Sequence, residues 1–288
     1  MTTALILAML SSLCFGVALV TGRVGLRTLD ARSGASISIP VATILFALAA
    51  PVALDSTGFS IEAILIFAAV GVFFPALVTI LTFRSNEHLG PTITGAVSGT
   101  APLFALLAAG LLLGENIPPQ AALSCVAIAA GIALLSWKQK SLRADFTRWS
   151  LLWPLSGAVL RGFAQAFVKA GLLLWPNPFA ASLIGYLVST ATVVGANHLG
   201  SRLTLTKRGA VWFALTGVLN GGAVLLMFGA LNIAPVSMVA PVVATYPLVT
   251  VLISAAVLHD EPVTRHMVAG AGITVAAITY LMVSITVA

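Results

Sequence analysis

The sequence predicts an all-α membrane protein with ten transmembrane helices, arranged as two inverted five-helix repeats around a central cavity. Three observations predict this fold. Of the 288 residues, 59% are hydrophobic and only 8% are charged, whereas about 25% of residues are charged in a soluble domain. Apolar runs recur at the length of about 20 residues that a helix needs to cross a bilayer. The stretch 90–135 also has a recognisable second copy at 234–281.

Ten apolar segments are long enough to span a bilayer. They are residues 4–22, 36–54, 61–83, 90–113, 119–137, 150–174, 179–197, 209–231, 235–257 and 265–285. The connections between them are short, so any chemistry must lie among the helices. The first segment lacks a basic region before it and is followed by Arg23, so we expect it to be retained and not cleaved as a signal peptide. Cys14 and Cys125 lie in apolar runs without metal-ligand spacing, which favours a packing role.

The basic residues indicate the topology. Twelve of the 14 Lys and Arg residues follow odd-numbered segments, and the connections after even-numbered segments contain none. Cytoplasmic connections are enriched in Lys and Arg, so the sequence predicts a cell (inner) membrane protein with both termini on the non-cytoplasmic side. The net charge of +6 therefore reflects orientation in the lipid bilayer and does not indicate nucleic-acid binding.

The duplication predicts how the helices are used. Residues 16–26 align with 162–172 without a gap, and the dipeptide at 71–72 matches the one at 217–218. Five segments per half is an odd number, so repeat 1 (residues 1–143) and repeat 2 (residues 144–288) enter the membrane in opposite orientations. Inverted repeats place a shared site near the bilayer midplane and permit alternating access, so the sequence predicts a transporter. Prolines and glutamates also recur, as Pro91 and Pro235, Pro102 and Pro247, and Glu115 and Glu261.

On these residues the chain resembles the paired EamA repeats of the drug/metabolite transporter superfamily. The resemblance also includes the positions nine and sixteen residues after each glutamate, which are Ser124, Gly131, Gly270 and Ala277. Two positions depart from the pattern: Cys14-Phe15-Gly16 stands where many relatives have a tryptophan before the glycine, and Ala277 replaces the glycine seen at position 131. The resemblance implies a ten-helix transporter of amino acids or other metabolites. It also implies a cavity lined by segments 1, 3, 4, 6, 8 and 9.

Arg161 is the strongest candidate for contact with a substrate. It lies about 16 Å from either end of the sixth segment, too deep for its side chain to reach an interface easily. Gln165 and Lys169 follow at i+4 and i+8 on the same helical face. Facing a water-filled cavity, these groups would bind the carboxylate of an amino acid or another organic anion. The alternative is a packing role in which Arg161 pairs with helix carbonyls. Lys169 and Arg23 lie near helix ends, where long side chains reach the interface.

A second polar stripe, Trp212, Thr216 and Asn220, lies on one face of the eighth segment. Asn220, beside two glycines in mid-segment, is its best substrate-binding candidate, whereas Trp212 and Thr216 also suit an interfacial ring and an inter-helix hydrogen bond. Pro102 and Pro247 are expected to kink their helices. The remaining substrate-binding candidates are Tyr246, Ser98, Thr94, Phe15 and Phe74, the last two as apolar walls.

The acidic residues lie at segment ends. We expect Glu62 to interact with the positive N-terminus of the third helix, and Glu115 and Glu261 with those of helices beginning near Pro118 and Thr264. The sequence contains no catalytic motif, phosphate-binding loop or metal-ligand spacing, so it predicts no enzymatic activity, no cofactor and no metal.

Three functional hypotheses follow. The favoured one is a carrier that exports amino acids or related zwitterionic or anionic small molecules. The alternative, a multidrug organic-cation exporter, should show a buried acidic residue, and no acidic residue lies in mid-membrane. A membrane enzyme or scaffold would need a catalytic constellation or a large interaction surface, and neither is visible. The sequence leaves the oligomeric state open.

Overall fold

The computed structural model describes residues 2–55, 57–135, 148–198 and 203–257, and also residues 266, 269–270, 272–277 and 279–280. All regular structure in this part of the chain is helical. The helices are α1 (Thr2–Gly25), α2 (Ala31–Ala53), α3 (Ile61–Phe73), α4 (Ala76–Ser98), α5 (Ala101–Leu113), α6 (Pro119–Leu135), α7 (Leu152–Leu174), α8 (Pro178–His198), α9 (Lys207–Ile233), α10 (Val236–Val243) and α11 (Tyr246–Val257). A short 3₁₀ helix, Arg148–Leu151, precedes α7.

These helices form a multi-pass membrane protein. Among the described residues, seven helical runs are long and apolar enough to cross a membrane. One of them, the 53-residue run Ile61–Leu113, contains predicted segments 3 and 4. Predicted segment 5 corresponds to the shorter helix α6, and 10 of the 21 residues of segment 10 lie outside the described residues, so the count of ten stays a prediction. Leu48, Val52 and Leu111 are 73–95% exposed, as expected for side chains that face lipid.

The third predicted segment, 61–83, is not one continuous helix, and that part of the prediction is wrong. A cis peptide bond between Phe74 and Pro75 separates α3 from α4, and Pro75 has no N–H to continue the helical ladder. Ser189 of α8 binds both sides of the break. Its hydroxyl donates to the Gly71 carbonyl over 2.6 Å and accepts from the Ala76 N–H over 3.2 Å.

Each repeat contains a pair of half-helices that meet at a corner. Corner 1 is residues 99–100, between α4 and α5, and corner 2 is residues 244–245, between α10 and α11. At corner 1 the Thr100 hydroxyl donates to the Val97 carbonyl over 2.7 Å, and at corner 2 the Thr245 hydroxyl donates to the Val242 carbonyl over 2.8 Å. The two corners therefore share one hydrogen-bonding arrangement across the duplication.

The prolines beside the corners begin helices and do not kink them. Pro102 and Pro247 are each the second residue of the second half-helix, where the missing N–H has no intrahelical partner to lose. The expected kink is therefore corrected to a full break just before each proline. A further bend lies inside α4, at Gly90, whose φ of 81° is a left-handed conformation that favours glycine.

Helix α1 packs along α9 of the other repeat, antiparallel to it. Near the middle of α1, the Ser11 hydroxyl donates to the Ala223 carbonyl over 2.7 Å. Near its end, the Thr21 and Thr216 hydroxyl oxygens are 2.8 Å apart. The central part of α9 therefore lies beside the central part of α1, and the C-terminal end of α1 lies toward the N-terminal part of α9.

Glycines bring the first helix of each repeat close to the second half-helix of the other. A Cβ atom at Gly16 of α1 would lie 2.9 Å from the Tyr246 carbonyl oxygen of α11. A Cβ atom at the matching Gly162 of α7 would lie 2.8 Å from the Ala101 carbonyl oxygen of α5. Neither position leaves room for a side chain, so the two repeats interlock through the same contact made twice.

Candidate functional site

Two adjoining pockets form a central cavity between the repeats. Both are lined by Phe15, Thr82, Phe83, Arg161 and Asn220. One pocket extends to Ser98 and Tyr246, and the other to Phe74, Val78, Tyr186 and Val224. The space open to the centre of a water-sized sphere is about 20 Å³ in one pocket and 30 Å³ in the other, which is enough for only a few waters. The cavity is therefore too small to hold an amino acid in this conformation.

Arg161 is the only charged side chain that lines these two pockets among the described residues. Its Cζ lies 5.1 Å from the ring centre of Phe15 and 5.5 Å from that of Tyr246. The side chain is only 8% exposed, and its Nε has no hydrogen-bond partner. Within the described part of the chain no acidic side chain forms an ion pair with it. A buried guanidinium that lies over aromatic rings and has no acidic partner keeps N–H donors available for an anion.

Two tyrosines with buried hydroxyls line the same cavity. The Oη atoms of Tyr186 and Tyr246 are buried and form no hydrogen bond, and each residue lines a pocket that contains Arg161. A buried polar group left without a partner costs about 1–3 kcal/mol, so a ligand that accepts from these hydroxyls would recover part of that cost. Gln165 lies one turn further along α7, with a buried Oε1 that is also unpartnered, but it is not among the residues lining the two pockets.

The cavity lies where matched positions of the two repeats meet. With the offset that aligns 16–26 with 162–172, Phe15 matches Arg161 and Phe74 matches Asn220. Both members of each pair line the cavity. At these positions repeat 1 supplies aromatic walls and repeat 2 supplies the polar groups.

Six of the predicted substrate-binding residues line the cavity, namely Phe15, Phe74, Ser98, Arg161, Asn220 and Tyr246. Thr94 does not, because it is fully buried and its hydroxyl oxygen lies 2.8 Å from that of Ser85. Thr216 donates to the Trp212 carbonyl over 2.8 Å, and neither residue is in the lining. The hydroxyls of both threonines therefore serve contacts within and between helices.

Thr82, Phe83 and Tyr186 also line the cavity, although they were not predicted from the sequence. A tyrosine in the middle of the seventh apolar segment, where its hydroxyl needs a partner, was a usable signal for Tyr186. Thr82 and Phe83 offered none, because such residues are common in any apolar run. In the described residues no group of three His, Cys, Asp or Glu side chains is placed to hold a metal ion.

Arg23 and Lys169, which are matched in the duplication, bind helix ends outside the cavity. The Arg23 Nη1 donates to the carbonyls of Asn86 and Glu87 over 2.8 and 2.9 Å, in the last turn of α4 before its bend at Gly90. The Lys169 Nζ donates to the carbonyls of Leu231 and Ala234 over 2.7 and 3.1 Å, where α9 ends. Each cation therefore satisfies carbonyls that a helix end leaves without partners.

Glu115 interacts with a helix N-terminus, but not with the one expected. Its Oε1 accepts from the Val236 N–H over 2.8 Å and its Oε2 from the Ser237 N–H over 3.1 Å. This is the start of α10 in the other repeat, not the helix near Pro118. Spacing along the chain could not reveal a contact between residues 121 positions apart. Glu62 lies in the first turn of α3, and Glu261 lies outside the described residues.

Comparison with known proteins identifies a family and a shared fold. Residues 2–137 and 148–283 each match the model of the EamA-like transporter family. A solved structure described as "Crystal structure of protein" superposes with a TM-score of 0.76 and 14% sequence identity, over 98% of this chain and 97% of that chain. At this identity the likeness shows a shared fold alone. No curated protein matches the sequence.

Proposed function

The chain belongs to the EamA-like transporter family, a family of membrane transporters in the drug/metabolite transporter superfamily, and we propose that it exports small zwitterionic or anionic metabolites, amino acids above all. Transport proceeds by alternating access between the two inverted repeats. The observation that carries this proposal is the buried guanidinium of Arg161 in the central cavity, which forms no ion pair with any acidic side chain among the described residues.

The substrate carboxylate binds Arg161. Hydrogen bonds to charged groups contribute about 1.5–3 kcal/mol each, and a guanidinium fork can donate two to one carboxylate. The hydroxyls of Tyr186 and Tyr246 supply further donors at the same place. An apolar substrate side chain then packs against Phe15 and Phe74 on the repeat 1 wall. The preferred substrate is therefore a small molecule with a carboxylate at one end and an apolar group at the other.

The small volume of the cavity supports alternating access. A space for a few waters does not hold an amino acid, so the repeats must move apart at one end before a substrate enters. Both corners are helix breaks at which a threonine hydroxyl donates to a carbonyl of the preceding turn, and such breaks let half-helices change direction without disrupting whole spans.

An organic-cation exporter with the same architecture is the alternative function. The aromatic rings around the cavity would attract a cation. Arg161 already lies over the rings of Phe15 and Tyr246, and its charge would repel a second cation there. The geometry therefore favours an anionic group over a cationic one.

The test is counterflow in proteoliposomes with three matched compounds: an apolar amino acid, the same molecule without its amino group, and the same molecule without its carboxylate. We expect uptake of the two carboxylates and none of the amine. Arg161→Ala should abolish uptake, whereas Arg161→Lys should keep part of it, since a cation remains. Lys207→Ala, which removes an exposed cation at the start of α9, is the control.

Uptake of the amine without uptake of either carboxylate would establish the organic-cation alternative. Unchanged carboxylate uptake by Arg161→Ala would keep the carrier and remove Arg161 from its binding site. Each variant is compared only if it elutes as a single folded species in detergent, so that loss of uptake is not loss of fold.

A further inference from the structure

Two cations flank the central cavity at different levels along α9. Arg23 follows Thr21, whose hydroxyl oxygen lies 2.8 Å from that of Thr216. Lys169 binds carbonyls at the end of α9, about 22 Å further along that helix at 1.5 Å per residue. Asn220, which lines the cavity, lies between these two levels. The cations therefore stand on either side of the substrate position.

Both cations bind the same kind of target. Each donates two hydrogen bonds to the carbonyls of a helix end. Pro91 follows the end bound by Arg23, and Pro235 follows the end bound by Lys169. In each repeat this proline begins the half-helix that leads to the corner. A positive charge at a helix C-terminus is favoured by the helix dipole as well as by the hydrogen bonds. Arg23 and Lys169 therefore fix the two helix ends from which the paired half-helices begin.

A spare acceptor lies at each of these two sites. Asn86 and Asn232 are matched in the duplication, and the Oδ1 atom of each is buried without a hydrogen-bond partner. Arg23 binds the backbone carbonyl of Asn86 itself, and Lys169 lines one recess together with Asn232. A cation that leaves the backbone carbonyls has this oxygen as a second partner.

The two ends differ in how tightly they are closed. At the Arg23 end the rings of Phe83 and Phe213 pack 5.1 Å apart. At the Lys169 end a recess of about 400 Å³ is lined by Lys169, Glu115 and Asn232, among others, and Glu115 holds the start of α10 there. The described lining of this recess has no residue in common with the central pockets.

We propose that Arg23 and Lys169 are positioning residues for transport, each holding its own end of the pathway closed, with Glu115 acting beside Lys169. This inference rests on the carrier function proposed above. When one end opens, the cation at that end releases its carbonyls while the other keeps its hydrogen bonds. Removal of one cation therefore biases the cavity toward exposure at that end.

The test is the accessibility of one cysteine in the cavity, Thr82→Cys, in a chain that also carries Cys14→Ala and Cys125→Ala. A membrane-impermeant maleimide is added to right-side-out or inside-out vesicles, and the labelling rate is measured at each face without substrate. Lys169→Met and Arg23→Met should shift the ratio of the two rates by at least about tenfold in opposite directions, since each loses two charge-assisted hydrogen bonds.

Further variants separate a gating role from a structural one. Glu115→Gln should shift the ratio in the same direction as Lys169→Met, but less. Lys169→Arg and Arg23→Lys should restore the original ratio, because each keeps a cation, and the double methionine variant should return toward it. Lys207→Met should change nothing.

Shifts in the same direction for both methionine variants, or unchanged ratios in folded protein, would overturn the proposal. The labelling needs no substrate, so its outcome is independent of the counterflow experiment. Transport with unchanged labelling ratios would reject the positioning role of Arg23 and Lys169 alone. Opposite shifts without uptake of any tested compound would reject the substrate class alone.

Discussion

Around the central cavity, repeat 1 places phenylalanine where repeat 2 places a polar side chain. Phe15 matches Arg161, and Phe74 matches Asn220, and all four line the same pocket. Outside the cavity the repeats are far more alike. Their corners share the threonine hydrogen bond, and Arg23 and Lys169 both bind helix ends.

This difference separates what the duplication supplies from what the binding site requires. A backbone that changes direction at two symmetric places needs similar corners and similar glycine contacts in both copies. A substrate with one charged end and one apolar end needs an asymmetric cavity. At the two matched pairs that face each other across the pocket, the chemistry accordingly differs between the copies.

The largest expected effect comes from making repeat 2 resemble repeat 1 in the cavity. Arg161→Phe should lower counterflow at least about 100-fold, because it removes two charge-assisted hydrogen bonds of roughly 1.5–3 kcal/mol each. The matched change Phe15→Leu keeps the apolar wall and loses only the ring face beside the guanidinium, so a loss of at most about tenfold is expected. Equal losses in the two variants would contradict the asymmetry.

The matched glycines Gly71 and Gly217 should differ in how much they tolerate a methyl group. A Cβ atom at Gly217 would overlap the backbone of Ser38, 2.9 Å from its Cα, whereas one at Gly71 would lie 2.8 Å from the Gly185 carbonyl oxygen and the Val188 Cβ. Overpacking costs about 1–3 kcal/mol. Gly217→Ala should lower the unfolding midpoint in detergent more than Gly71→Ala, and the reverse order would show that α2 yields more easily than α8.

The corners should differ modestly in stability. The Thr245 hydroxyl has two partners, the Val242 carbonyl at 2.8 Å and the Ser12 hydroxyl at 2.9 Å, whereas Thr100 donates to Val97 alone. At about 0.5–1.5 kcal/mol per hydrogen bond, Thr245→Val should destabilise the protein about twice as much as Thr100→Val. Denaturation of the two variants side by side measures the difference, and equal effects would mean that the bond to Ser12 contributes nothing.

The smallest expected effect concerns the caps of the second helix in each repeat. Asp30 caps α2, and Asn177 caps α8 by accepting from the Ala180 N–H over 2.9 Å. Burial alone would raise the pKa of Asp30, but hydrogen bonds from Ser33 and Thr204 outweigh it and hold the pKa below its usual value. The stabilisation is therefore present at neutral pH and is lost as the pH falls below about 4.

Asp30→Asn should leave the melting temperature at pH 7 nearly unchanged, since asparagine caps helices about as well as aspartate. The same variant should also show a weaker dependence of the melting temperature on pH between 3 and 5. An undiminished acid sensitivity in this variant would assign that sensitivity to other carboxylates.

Much of the fold could be predicted from the sequence, because membrane helices need long apolar runs and the duplication repeats their order. The breaks were harder to predict. Pro75 interrupts a run that is apolar throughout, and hydropathy does not distinguish a broken span from a continuous one. The corner before Pro102 was expected as a kink, because a proline inside an apolar run is compatible with a kinked helix and with a broken one.

The candidate site could be predicted where a polar residue stood out against apolar neighbours. Arg161, Asn220 and Tyr246 are conspicuous for that reason, and all three line the cavity. Phe83 has no such signal, and the partner of Glu115 depends on how α5 packs against α10. Contacts between residues more than a hundred positions apart follow from the packing of the repeats and not from any local pattern.

The interlocked packing of α1 also constrains how the protein is made. The hydroxyls of Ser11, Ser12 and Thr21 bind residues that lie 212, 233 and 195 positions later in the chain. At a synthesis rate of about 5–20 residues per second, roughly 10–45 s separate the emergence of α1 from that of its partners. During that interval α1 has been synthesised, but the partners of these three hydroxyls in repeat 2 have not. The contacts that join α1 to repeat 2 therefore form late, after most of the chain has been synthesised.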